Sequence, residues 1–393
     1  MKYLPSNKPL RVLLALVALL FCSAGALMAN ADSAVGNAPA GPRLEQISTS
    51  KNFRDGHFFN ALPAIEGPYF EMVKRFATSG EDAVPKEPIL ILERHKSDFD
   101  ELPSSGLRIT WLGHSTNLVE IDGQRILLDP VWAERTSPFT WAGPKRFFEV
   151  PIKLDELPPI DAVLISHDHY DHLDQMTVEY LAKKGVLFIV PLGVGARLEA
   201  WAVKTEQIKE VDWWQKTKVG DIEISATPAR HFSGRSIVMT DRDATLWAGF
   251  AMIGPTHRVY YSGDTGMFPG FKEIGERLGP FDAALIEVGA YDSLWADVHL
   301  GPEQAVQAFQ DVKGGLLLPV HWGTFNLAIH NWTEPVERLM AAATTTDIAM
   351  VIPRPGQSTA PSNPPELVKW WPDVPWETAA ESPVVSSGLA HNH

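Results

Sequence analysis

In the stretch Leu164-Ile165-Ser166-His167-Asp168-His169-Tyr170-Asp171-His172 an apolar run ends and four potential metal ligands, His167, His169, Asp171 and His172, follow within six residues. A straight helix or strand would spread these side chains over several faces. A turn leaving a buried strand can gather them around one point. Neutral imidazoles with a hard carboxylate oxygen suit zinc or a similar divalent ion. An isolated histidine is more often a packed one, but four potential ligands crowded after a strand read as a metal site.

Around this turn the chain alternates short β-prone runs with helical ones. Arg108–Leu112, Asn117–Ile121 and Arg125–Leu128 precede it, with Asp122-Gly123 marking a hairpin. Ala162–Ser166 and Val186–Val190 read as buried strands flanking a helix that Asp174 caps. Further strands are expected at Ile222–Thr227, Leu246–Ile253, Arg258–Ser262, Ala283–Ile286 and Leu316–Val320. Helices are expected at Phe271–Leu278, Glu303–Val312 and Glu334–Ala342. Hairpins mixed with crossovers give an α/β class with mixed sheets and helices outside.

The ends read differently. Lys2, Lys8 and Arg11 precede the apolar run Val12–Phe21, and Ala29-Asn30-Ala31 offers a small-x-small cleavage site. Residues 1–31 therefore read as a signal peptide, with export to the periplasm or envelope. The alternative is an uncleaved membrane anchor, since Val12–Ala29 nearly spans a bilayer. Residues 32–106 read as a flexible leader followed by an arm of short apolar pieces, such as Pro68-Tyr69-Phe70, and 107–360 as one hydrolase domain. Residues 361–393 read as a Pro/Trp-rich strip with a disordered tail from 377.

Composition removes whole classes. With 45% hydrophobic residues and 13 tryptophans, the 393-residue chain can bury a sizeable core, which excludes disorder. Its one cysteine, Cys22, excludes a disulfide scaffold and lies in the segment expected to be removed. The net charge of −14 becomes −17 without the first 31 residues, which opposes nucleic-acid binding.

The pattern His-x-His-x-Asp-His resembles the signature of the metallo-β-lactamase superfamily. That resemblance implies an αβ/βα four-layer sandwich and three further ligands at the ends of later strands: His231, Asp264 and His321. Carried over by motif, His167, His169 and His231 hold one metal, Asp171, His172 and His321 the other, and Asp264 bridges. The implied cofactor is two Zn2+, with Mn2+ or Fe2+ able to serve an all-His/Asp site. Two such ions lower the pKa of a water they share and supply hydroxide near neutral pH.

Trp111-Leu112-Gly113-His114-Ser115-Thr116, Gly143-Pro144-Lys145-Arg146-Phe147, Gly289-Ala290-Tyr291 and His321-Trp322-Gly323-Thr324-Phe325 are similar to segments of the N-acylphosphatidylethanolamine phospholipase D family. This narrower resemblance implies lipid metabolism: cleavage of N-acylphosphatidylethanolamine to phosphatidic acid and N-acylethanolamine, with phospholipid substrate and peripheral membrane contact. It also implies a catalytic histidine at His299, in Val298-His299-Leu300-Gly301-Pro302-Glu303, protonating the leaving alkoxide. A solvent-exposed loop histidine is the competing reading.

Asp129, in Leu128-Asp129-Pro130, either supports a ligand histidine through its ring N–H or simply forms a turn. His114 is second to the ligands or lines the pocket. Trp132, Phe139, Trp141, Phe147 and Phe148 with Lys145 and Arg146 form either an acyl-chain mouth or ordinary packing. Lactone or other carbonyl hydrolysis uses the same metals and is the alternative enzyme class. A metal-free envelope scaffold is the non-enzymatic one, and the complete ligand set opposes it.

Overall fold

The computed structural model describes residues 33–65, 67, 71, 74–75 and 80–389. The signal segment, Pro68-Tyr69-Phe70 and residues 390–393 lie outside them. A short helix α1 (Pro42–Ile47) and a two-residue hairpin (Phe53–Arg54 with His57–Phe58) precede the body. The first sheet takes β1 (Leu107–Gly113), β2 (Thr116–Ile121), β3 (Gln124–Leu128), β4 (Ala162–Leu164), β5 (Leu187–Pro191) and β6 (Ile208–Val211). The second takes β7 (Lys216–Val219), β8 (Ile222–Thr227), β9 (Gly249–Ile253), β10 (Arg258–Tyr261), β11 (Ala283–Glu287) and β12 (Leu317–Val320). A late strand β13 (Ser358–Thr359) returns to the edge beside β1.

Both sheets are mixed, and each changes from antiparallel to parallel partway across. In the first, β1, β2 and β3 are antiparallel, and β3 to β6 run parallel through crossovers carrying α2 (Gln175–Lys183) and α3 (Gly195–Ala200). In the second, β7 to β10 are antiparallel, and β10 to β12 run parallel with α4 (Gly270–Arg277) and α5 (Pro302–Asp311) between them. The helix α6 (Glu334–Ala343) packs beside α5.

Side-chain alternation explains the layering. Along β11, Ala283 and Leu285 join the core between the sheets, while Ala284 and Ile286 join the core beneath α4, α5 and α6. Along β2, Val119 and Ile121 face inward, and Leu118 faces the cluster that Val178, Leu181 and Leu198 of α2 and α3 complete. A strand buried on both faces reads as a continuous apolar run, which is what Ala283–Ile286 of β11 shows, whereas β2 buries Asn117 and Glu120 as well. The result is the four-layer α/β/β/α sandwich expected from the resemblance. Among the described residues no helix is long and apolar enough to cross a membrane.

Two peripheral expectations differ from the structure. The segment read as a flexible leader is held: Ser33 O accepts the Trp201 indole N–H at 2.7 Å, Ala34 O accepts from the Arg235 guanidinium, and Arg43 pairs with Glu199 at 2.8 Å. The tail read as disordered is held at Ser386 and Ser387. Ser386 Oγ donates to Ala296 O at 2.7 Å, and Ser387 binds the buried Asp297 through both N and Oγ. Small polar residues without a hydrophobic period carry no sequence signal for such contacts, which are made to partners far away in the chain. The strands β6 and β7 also went unforeseen, because Lys209, Glu210, Lys216 and Lys218 give them a polar, edge-like composition.

Candidate metal centre

Each candidate ligand stands just past the end of a strand, at the rim where both sheets open. His167 to His172 follow β4, His231 follows β8, Asp264 follows β10 and His321 directly follows β12. Left-handed backbone occurs at one of them and at two neighbours: φ is +64° at His321, +52° at His114 and +35° at Asp129. Such conformations are uncommon outside glycine and gather at functional sites.

The seven residues assigned from the motif converge. His167 Nε2 and His169 Nδ1 are 2.8 Å apart, and His231 Nε2 is 3.3 Å from the same His169 nitrogen. Asp171 Oδ2 is 3.2 Å from His321 Nε2 and 3.3 Å from His172 Nε2. Asp264 Oδ2 stands between the two groups, 3.8 Å from His167 and His231 Nε2, 3.1 Å from His172 and 3.0 Å from His321. Both clusters can therefore hold an ion, with Asp264 facing each.

The residues fit a metal by three observations. First, the outward ring nitrogens are already committed: His172 Nδ1 to Asp129 at 2.6 Å, His231 Nδ1 to Val298 O at 2.8 Å and His167 Nδ1 to Ser166 Oγ at 2.9 Å. Their Nε2 lone pairs are thereby aimed inward. Second, a tetrahedral ion with bonds of about 2.0–2.1 Å sets its ligand atoms about 3.3 Å apart, close to the spacings here. Third, His172 Nε2 and Asp264 Oδ1 are buried with no hydrogen-bond partner among the described residues, a costly state unless a ligand satisfies them.

Electrostatics agree. Burial holds His167 and His231 well below the usual histidine range, and pushes His169 down to about 4, so these rings stay neutral and able to coordinate. Burial acts in the same direction on His172 and His321, but Asp264 with its neighbouring carboxylates outweighs it, raising His172 well above its ordinary value and His321 to about 10. The half of the site holding two carboxylates thus demands positive charge.

Around the ligands sits a supporting ring. Asp129 Oδ2 accepts from His172 Nδ1, from Ser166 Oγ at 2.5 Å and from the Tyr261 hydroxyl, while Oδ1 accepts Ser166 N at 2.7 Å. His114 Nε2 lies 2.9 Å from Asp171 Oδ2, placing it in contact with a candidate ligand. Burial and the neighbouring His321 push His114 down to about 3. Asp168, inside the motif, turns away: it takes Gly234 N at 2.8 Å and the buried Arg197 Nε at 3.2 Å.

His299 stands at the edge of the centre, its ring 5.0 Å from His231 and 5.1 Å from His321. Its Nδ1 is 3.0 Å from Glu287 Oε2. Sequence reading missed Glu287, a fully buried carboxylate at the end of β11. Its one signal was an acidic residue closing the apolar run Ala283–Ile286.

The remaining histidines among the described residues are engaged elsewhere. His257 binds Asp122 at 2.6 Å, His95 binds Glu156 at 2.7 Å, His57 binds Arg242 O at 2.9 Å, and His330 binds Ala290 N and Asn331 O. The aromatic stretch does not act as one mouth. Trp132 donates to Ile152 O, Phe147 packs on Trp332, Phe148 is buried, and Arg146 is buried over Phe325. Of that stretch, Phe139 and Trp141 line a groove of about 510 Å³ with Tyr170, Met176 and Arg235.

Comparison with known proteins places this geometry. Residues 124–322 match the beta-lactamase superfamily domain, spanning the motif and strands β3 to β12. The chain belongs to the metallo-β-lactamase superfamily. It is 46% identical over 335 residues to an uncharacterised protein of Mycobacterium tuberculosis, covering 82% of this chain and 87% of that one. To N-acyl-phosphatidylethanolamine-hydrolyzing phospholipase D 1 of Caenorhabditis elegans it is 36% identical, covering 69% of this chain and 80% of the relative. Among solved structures, the metallo hydrolase Igni18 of Ignicoccus hospitalis matches with TM-score 0.50 at 22% identity, over 64% of this chain and 97% of that one. An isothiocyanate hydrolase from Delia radicum gut bacteria matches at 0.51 and 18%, over 64% and 98%. These structural matches show the shared fold. With its superfamily and its clusters able to bind metal, the chain is a metal-dependent hydrolase.

Proposed function

We propose that this superfamily member is a dinuclear zinc phosphodiesterase that cleaves N-acylphosphatidylethanolamine at the phospholipase D position. The observation that carries the two-metal reading is Asp264 Oδ2, which lies between the His167/His169/His231 group and the Asp171/His172/His321 group. The lipid assignment is supported by the relatives in worm and yeast named for that hydrolysis, at 36% and 33% identity. Export to the cell envelope, where such lipids are accessible, is part of the same proposal.

Two divalent ions held there would supply Lewis acidity toward a phosphoryl group and an activated water. The residues do the rest. Neutral His167, His169 and His231 and the carboxylates of Asp171 and Asp264 set the charge of the site. Asp129 and Val298 O fix the tautomers of His172 and His231. In the reaction an oxygen–phosphorus bond forms from water, whose proton passes to solvent, the bond from phosphorus to the ethanolamine oxygen breaks, and the protonated ring of His299 gives that oxygen its Nε2 proton and regains one from solvent. Phosphatidic acid and N-acylethanolamine result.

The test is phosphatidic acid release, followed by mass spectrometry, from N-acylphosphatidylethanolamine in mixed micelles. Product that disappears on chelation and in Asp264→Asn is expected. A protein carrying two metals that releases none refutes the lipid assignment and leaves carbonyl or other phosphodiester hydrolysis to be screened.

A further inference from the structure

The carboxylate of Glu287 joins three segments of the site. Its Oε1 accepts Thr265 N at 2.7 Å, next to Asp264, and Leu300 N at 3.0 Å, next to His299. Its Oε2 faces His299 Nδ1 at 3.0 Å. Glu287 is fully buried, at the end of a strand whose other side chains are in the cores. A carboxylate so enclosed, with one oxygen occupied by two backbone donors, has its second oxygen left for the one ring beside it.

We infer that Glu287 is a positioning residue: by accepting the Nδ1 proton of His299 it fixes that ring's tautomer and turns Nε2 toward the metal centre. This deepens the phosphodiesterase reading and rests on it for the direction in which the proton travels. The consequence follows from imidazole chemistry. A ring whose Nδ1 proton is committed to Glu287 must take any further proton on Nε2, the nitrogen facing the reacting atoms. The same hydrogen bonds tie the His299 loop to the turn holding Asp264, so the proton donor and the shared ligand keep one distance from each other.

Glutamine at this position separates the role from mere packing. Its amide oxygen can keep both backbone donors, Thr265 N and Leu300 N, while its NH2 group presents a donor to His299 Nδ1. The ring must then reverse, with Nδ1 bare and the proton on Nε2, and it can no longer load a second proton without two donors facing each other.

The full-length chain loaded with zinc, labelled with 15N-histidine, would be studied by long-range 1H–15N correlation. The His299 signals are assigned by their absence in His299→Ala. We expect an Nδ1–H ring in the native protein and an Nε2–H ring in Glu287→Gln, with two equivalents of zinc in both. With bis(p-nitrophenyl) phosphate, kcat should fall roughly 10- to 100-fold at nearly constant KM. Glu287→Gln should cost nothing further in the His299→Ala background, since the effect passes through that ring.

An unchanged Nδ1–H tautomer in Glu287→Gln overturns the inference, as do losses that multiply in the double variant. Loss of one zinc equivalent also overturns it, because Glu287 would then be a ligand. If Glu287→Gln does not fold, the native tautomer decides, and an Nε2–H ring there refutes it. The NMR readout needs no substrate, so a protein inactive on every phosphodiester would sink the phosphodiesterase reading while this measurement still decides the role of Glu287.

Discussion

Asp129→Asn removes one charge and one acceptor from a carboxylate with no room to adapt. Asp129 accepts four hydrogen bonds, from Ser166 N, Ser166 Oγ, His172 Nδ1 and the Tyr261 hydroxyl. An amide has one acceptor oxygen, so its NH2 must face a donor in either orientation. The cheaper orientation turns oxygen toward the three side-chain donors and NH2 toward Ser166 N. Two buried donors then face each other, at a cost of about 1–3 kcal/mol. The bonds from His172 and Tyr261 also lose their charge assistance, about 1 kcal/mol each.

The total, on the order of 3–5 kcal/mol, divides between stability and metal affinity, because His172 keeps its inward Nε2 only while Nδ1 is held. We expect apparent zinc affinity to fall 10- to 100-fold, with the His172 half emptying first, and the urea midpoint to drop. Competition against a chromophoric chelator measures the first, and equilibrium unfolding the second. Tyr261→Phe, which removes a single donor and leaves the carboxylate holding His172 Nδ1, should cost about 1.5–3 kcal/mol of stability, the loss of one hydrogen bond to a charged group, and lower zinc affinity less than Asp129→Asn does. Zinc binding in Asp129→Asn within two-fold of the native protein would refute this account.

Two further outcomes follow from the packing. A Cβ at Gly289 would meet His321 O at 2.1 Å, a backbone atom that cannot swing aside. Gly289→Ala should therefore displace His321 and reduce bound metal below two equivalents, read by elemental analysis of the purified variant. Chelation of the native protein should lower its melting temperature by several degrees, since an ion bound at 1,000 times its dissociation constant stabilises by about 4 kcal/mol. A melting curve indifferent to chelator would contradict the buried, unpartnered His172 Nε2 and Asp264 Oδ1.

What could be read in advance depended on how locally each feature is encoded. The turn His167–His172 carries four ligands in six residues, and the resemblance it supports placed His231, Asp264 and His321 at strand ends where the structure has them. The apolar runs of β9 and β11 were legible because both of their faces are buried. Glu287 was not legible, since its partners Thr265, His299 and Leu300 are brought to it only by the parallel pairing of β10, β11 and β12 and the return of the chain toward α5. Arg235 is a similar case: it donates to Asp168 O at 2.6 Å and Leu173 O at 2.8 Å on one side and holds Ala34 O on the other. One cation thereby braces the motif turn and pins a segment that composition alone describes as flexible.

The two sheets contribute unlike halves, and this bears on why the fold and the metal centre belong to one equilibrium. His167, His169, Asp171 and His172 come from the first sheet, whereas His231, Asp264 and His321 come from the second. On the proposed assignment neither metal group is complete without both, since His231 closes the first and His321 the second. Asp129 at the end of β3 and Tyr261 at the end of β10 meet across the same divide. Left-handed backbone at His114, Asp129 and His321 costs on the order of 1–3 kcal/mol each, and bringing Asp171 and Asp264 around one ring of His321 is unfavourable without positive charge. In the proposed two-metal state those costs would be offset by cations bound between the sheets. The strain is thus located where binding can relieve it, and variants that loosen the sheet-to-sheet contact should lose metal before they lose secondary structure.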